Sequence, residues 1–63
     1  MNGYWAIDTA DGNELAAGMD EITARRCAQR YADERGECVT LYTVGFLPRI
    51  VEEIEPDTAK GEA

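Results

Sequence analysis

One helical stripe sits near the middle of this chain, with strand-like sequence on both sides of it. Ala24, Cys27, Ala28, Tyr31 and Ala32 fall at i, i+3, i+4, i+7 and i+8, the repeat of a helix with one apolar face. Gly36 is placed to stop that helix, because the C′ position takes a left-handed backbone that glycine adopts freely. Asp20 and Thr23 both qualify as its N-cap, and a Thr23 cap would bring Ile22 toward Cys27 as a hydrophobic staple. The other face carries Arg25, Arg26, Gln29, Arg30 and Asp33. Glu21–Arg25 and Arg30–Glu34 are i, i+4 pairs, each worth roughly 0.2–0.5 kcal/mol.

The flanks of the helix alternate in the manner of strands. "GYWAIDT", residues 3–9, is followed by Asp11-Gly12, a strong tight-turn signal, and then by "ELAAG" as a short return strand ending at Gly18. After the helix, "CVTLYTV" (38–44) is the strongest strand, "GFLP" a turn, and "RIVEEIE" a last strand pairing back on it. The order β-β-α-β-β predicts an α+β fold: a four-stranded antiparallel sheet with one helix packed on one face. Trp5, Ile7, Leu15, Val39 and Leu41 are expected under the helix, where the small Ala24 and Ala28 let it sit close. One compact domain is expected over residues 1–55, with 56–63 as a flexible acidic tail.

One helix covers one face, so the other stays open. Alternation places Tyr4, Ala6, Tyr42 and Val44 there, with Phe46 and Leu47 extending the apolar pattern in the turn. Such a face either packs over the sheet with its hydroxyls in water or serves as an interface with a partner or a second copy.

The residues point away from chemistry. A chain of 63 residues has a thin core, because a domain of that size buries only roughly 60% of its unfolded surface. There is little room for the walls of a catalytic pocket, and no histidine is present. Cys27 and Cys38 have no C-x-x-C spacing and read as reduced thiols, so no zinc site is expected. "DTADGNE" offers Asp8, Asp11, Asn13 and Glu14 to a cation, yet it lacks the length of a calcium loop and reads as a hairpin turn. No catalytic residue, cofactor or metal ligand is predicted. Met1 is not followed by a basic n-region and no apolar run approaches a membrane span, so a cytoplasmic protein is expected.

Charge is the remaining signal. Thirteen acids against six bases leave a net of -7, which argues against direct contact with nucleic acid or anionic lipid and for a basic partner. The helical segment 20–37 carries four arginines among five acids, whereas residues 1–19 hold three acids and no base. "IVEEIEPD" concentrates Glu52, Glu53, Glu55 and Asp57 on the last strand and its exit. Edge strands carry charge to block edge-to-edge pairing, and that alone accounts for such a run. A row of Glu53, Glu55 and Asp57 at about 6.6 Å intervals along one strand face would also resemble the charges of a nucleic-acid strand. Tiny size, strong acidity and a sided surface together favour a binding protein.

In size, charge and element order the whole chain resembles the small acidic anti-CRISPR proteins encoded by phages. The likeness is one of format, and no residue role comes with it. It implies a stoichiometric inhibitor that blocks a basic DNA- or RNA-binding surface of a bacterial defence complex; phage inhibitors of restriction enzymes share the format. The expected contact residues are then Glu52, Glu53, Glu55 and Asp57 with Tyr42, Phe46 and Tyr4 as aromatic anchors. The alternative is a small structural or regulatory domain that forms a homodimer through the open sheet face.

Overall fold

The structure, a computed structural model, describes residues 3–57. Strands β1 (Tyr4–Thr9) and β2 (Glu14–Met19) form a hairpin, helix α1 (Glu21–Arg35) follows, and β3 (Val39–Val44) and β4 (Val51–Ile54) form a second hairpin. The sheet is antiparallel throughout in the order β2-β1-β3-β4. This is the α+β architecture expected from the alternation.

The helix lies on one face because its stripe and the sheet's odd-numbered central residues are both apolar. Trp5, Ile7, Val39 and Leu41 from the sheet meet Ala24, Ala28 and Ala32 from the helix, with Leu15, Ala16, Met19, Cys27, Tyr31 and Ile54 packed around them. The three helix alanines are fully buried, so the helix backbone approaches the strands closely where a larger side chain would hold it off. Thr9 and Thr43 are buried as well. Their hydroxyls accept from the backbone N–H of Asn13 (3.0 Å) and Ile50 (2.9 Å), which avoids the cost of an unpaired buried oxygen.

The helix ends show which signals win. Asp20 is the N-cap, its Oδ1 accepting from Thr23 N–H at 2.9 Å. Thr23 therefore sits inside the first turn, and Ile22 is 70% exposed rather than stapled to Cys27. Gly36 ends the helix at φ 69°, its N–H donating to Ala32 O at 2.8 Å. In the first hairpin Gly12 takes φ 92° while Thr9 N–H donates to Asn13 O at 2.8 Å, so "DTADGNE" is a turn closed on itself.

Strand β2 is irregular in a way its sequence did not announce. The register pairs Trp5 with Met19 but Ala6 with Ala17, and Ile7 with Ala16 but Asp8 with Glu14. Gly18, at φ 82°, and Leu15 are the extra residues of two bulges. The bulges let the strand continue through Met19 and keep both Leu15 and Met19 against the core cluster.

The chain beyond β4 returns toward the helix. Gln29 Nε2 donates to Glu55 O at 2.9 Å, and Asp57 N–H donates to Asp33 Oδ1 at 2.7 Å. The tail expected from Pro56 thus begins with residues tied to α1, and its remainder, 58–63, lies outside the described residues.

Candidate functional site: the open sheet face

Register turns the open face into rows that cross the strands. Glu14 pairs with Asp8, Asp8 with Thr40, and Thr40 with Glu53, so one row reads Glu14–Asp8–Thr40–Glu53 from edge to edge. The next reads Ala17–Ala6–Tyr42–Val51, and beyond it Tyr4 pairs with Val44. Neighbouring strands lie about 4.8 Å apart, so each four-residue row is about 14 Å long. The face is divided into an acidic band and an apolar band lying side by side.

The bands are joined at Tyr42, whose hydroxyl donates to Asp8 Oδ1 at 3.0 Å. Partial burial first, then that bond and the charges of Asp8 and Glu14, push the Tyr42 phenol above the usual tyrosine range. Ala6 is only 2% exposed although no helix covers it, whereas Tyr4 is 40% and Val51 59% exposed. Asp8 and Glu14 stand directly opposite each other with no cation paired to either among the described residues. Like charges in that position are mildly destabilising.

The cations of the described residues are elsewhere. Arg25, Arg26, Arg30 and Arg35 belong to the helix and Arg49 to the β3–β4 loop. Arg25 binds Glu21 and Glu52, Arg30 lies 3.4 Å from Glu34, and Arg35 lies 3.7 Å from Glu37. The pairs Glu21–Arg25 and Arg30–Glu34 form as the helical spacing predicts.

The expected contact residues do not all share this face. Glu53 lies in the acidic row, and Tyr42 and Tyr4 lie beside it. Glu52 is paired with Leu41, on the helix side of the sheet, and its carboxylate is held by Arg25. That contact holds the Glu52 carboxyl below its usual range. Glu55 follows the end of β4 and acts on Cys38, whose thiol is pushed up first by desolvation and then by Glu53 and Glu55. Strand β4 ends at Ile54, so Glu55 and Asp57 lie on its exit, where the Asp57 backbone is drawn toward the helix. Phe46 is set apart too: a Cβ on Gly3 would lie 2.8 Å from its ring, and alternation puts that direction on Trp5's side of the sheet. Cys27 packs on the core cluster, across the sheet from Cys38 and its carboxylate neighbours, and both thiols are free.

The acidic row also takes in Asp8 and Glu14, which the sequence places at the two ends of the first hairpin's turn. A two-residue Asp11-Gly12 turn would set Asp8 opposite Leu15; the observed loop, closed by Thr9 N–H on Asn13 O, sets Asp8 opposite Glu14 instead.

Clefts elsewhere are shallow. One of about 250 Å³ is lined by Cys27, Arg30, Tyr31 and Glu34, another of about 260 Å³ by residues 43–47 and Arg49. Among the described residues no three His, Cys, Asp or Glu side chains are grouped to hold a metal ion, and no helix is long and apolar enough to cross a membrane.

Fold and face together define a two-layer α+β domain with one uncovered, charge-divided sheet surface. Comparison of the chain with protein-family models, with curated proteins and with solved structures returns no match.

Proposed function

We propose that this chain is a non-catalytic binding protein that inhibits a basic, nucleic-acid-binding partner by presenting carboxylates in place of phosphates. The observation that carries the reading is the row Glu14–Asp8–Thr40–Glu53, three carboxylates across one sheet with every arginine of the described residues placed elsewhere. Left unneutralised, Asp8 and Glu14 weaken the fold slightly, and a cationic partner would relieve that repulsion. Glu55, beside Cys38, extends the charge past the row. The target class that the format implies is a bacterial defence complex of the CRISPR type, met in the cytoplasm.

Self-association through the same face is less well supported. Two copies meeting face to face would either oppose their acidic rows or bury carboxylates against the other copy's apolar band, and both arrangements are unfavourable.

The test is displacement. A partner recovered from a bacterial lysate with the tagged chain is loaded with its labelled nucleic acid, and the chain is added stoichiometrically. Release of the label by the natural chain, but not by the triple variant Asp8→Asn, Glu14→Gln, Glu53→Gln, is the expected result. A partner that binds the chain and keeps its nucleic acid would sink the mimicry reading.

A further inference from the structure

We infer that the open face takes an amphipathic α-helix with one basic edge, laid across the strands; this rests on the reading of that face as a docking surface for a basic partner. Acidic and apolar rows run in parallel across the sheet, two residues and about 6.7 Å apart along β1, β3 and β4, and three residues apart along the bulged β2. An occupant must match two different chemistries side by side over a length of about 14 Å. An extended strand lying flat on the face offers a single line of side chains toward it, because alternate residues point away. A helix of about 10–12 Å diameter spans both rows and presents adjacent stripes of different character.

The charge spacing agrees. Glu14 and Asp8 are one strand apart, about 4.8 Å, and Asp8 and Glu53 two strands apart, about 9.6 Å. On a helix rising about 1.5 Å per residue, positions i and i+3 or i+4 are about 4.5–6 Å apart along the axis, and i+3 and i+10 about 10.5 Å. Cations at i, i+3 (or i+4) and i+10 (or i+11) therefore meet the three carboxylates, with a small or hydroxyl-bearing residue at i+7 over Thr40. The apolar row is low at Ala17 and Ala6 and higher at Tyr42 and Val51. It suits a helix stripe that begins with a large side chain and ends with a small one.

Two synthetic peptides of equal composition test this. In one, arginines occupy the spacing above beside a leucine and alanine stripe; in the other the same residues are scrambled so that no stripe forms. Affinity is read by fluorescence anisotropy and location by amide chemical shifts. The expected result is at least about tenfold tighter binding of the striped peptide, with shifts centred on Ala6, Asp8, Tyr42 and Val51. Asp8→Asn, which relieves the repulsion with Glu14, and Glu53→Gln, both outside the core cluster, should each weaken it. Equal affinity of the two peptides at the acidic row overturns the helix and leaves the charge reading standing. Shifts confined to the α1 face or the β3–β4 loop, or no binding by either peptide, overturn the inference, and the displacement experiment then decides the charge reading separately.

Discussion

Arg25 donates to both carboxylate oxygens of Glu52, Nη1 to Oε1 at 2.8 Å and Nη2 to Oε2 at 3.1 Å, while its guanidinium stands 5.5 Å from the centre of the Trp5 ring. The fork-to-fork geometry ties the edge strand β4 to the helix across a sequence separation of 27. Glu52 is thereby part of the fold, and its neighbour Glu53, on the opposite face, is part of the surface.

Glu52→Gln should lower the melting temperature by several degrees at pH 7, whereas Glu53→Gln should leave it unchanged or slightly raised. The pH dependence follows the same division. The Glu52 carboxyl is held low by Arg25 and the Asp20 carboxyl by the Thr23 N–H. Their stabilisation is complete above the ordinary carboxylate range and is lost as pH falls through the depressed folded values. Thermal unfolding from pH 7 to pH 2 should show a flatter acid limb for Glu52→Gln. An acid limb identical to that of the natural chain would remove Arg25–Glu52 from the account.

Tyr42 governs the alkaline side. The folded state holds its phenolic proton more tightly than the unfolded chain does, so it binds more protons between the two titrations. The resulting stability is present below the ordinary tyrosine value, about 10, and declines as pH rises toward the higher folded value. Denaturant unfolding between pH 8 and pH 11 should show that decline, and Tyr42→Phe should reduce it while losing the bond to Asp8.

Cys38 should alkylate slowly. Desolvation and the Glu53 and Glu55 carboxylates keep its thiol protonated, and the thiolate is the reactive form. In a Cys27→Ser background, iodoacetamide modification at pH 8 should be slower than for an unstructured peptide thiol. Glu53→Gln with Glu55→Gln should accelerate it. A rate indifferent to both substitutions would place the carboxylates too far from the sulfur.

Gly18 should resist replacement for backbone reasons alone. It takes φ 82°, and a Cβ there would meet nothing within 4 Å. Gly18→Ala should cost about 1–2 kcal/mol in urea unfolding. Gly18→Asn should cost less, since asparagine visits the left-handed region more readily. Equal losses for the two variants would indicate a packing role instead.

Much of the fold was legible because it rests on local periodicity. The alternation of Trp5, Ile7, Val39 and Leu41 located the covered face, the alanine stripe located the helix contact, and Gly36 located its end. What escaped was non-local. Arg25 looked complete with Glu21 one turn away, and nothing within the helix announces Glu52. Asp20 and Thr23 both carry capping side chains, and the extended backbone at Asp20 selects between them. The carboxylate row through Glu14, Asp8 and Glu53 also escaped, because it runs across strands, through pairings that only strand order and register define.

That strand order also sets how the molecule assembles. Each hairpin closes over a short loop, but β1 and β3 sit side by side at the centre with the whole helix between them in sequence. Their zippering is the long-range step, which predicts that the Ile7–Leu41 pair belongs to the folding nucleus. Truncating either side chain should slow refolding, whereas weakening β4 at the sheet edge should chiefly hasten unfolding. Stopped-flow measurement of both rates would separate the two. A protein built this way gains its carboxylate row only when the last β1–β3 pairs have closed, since the row passes through both strands.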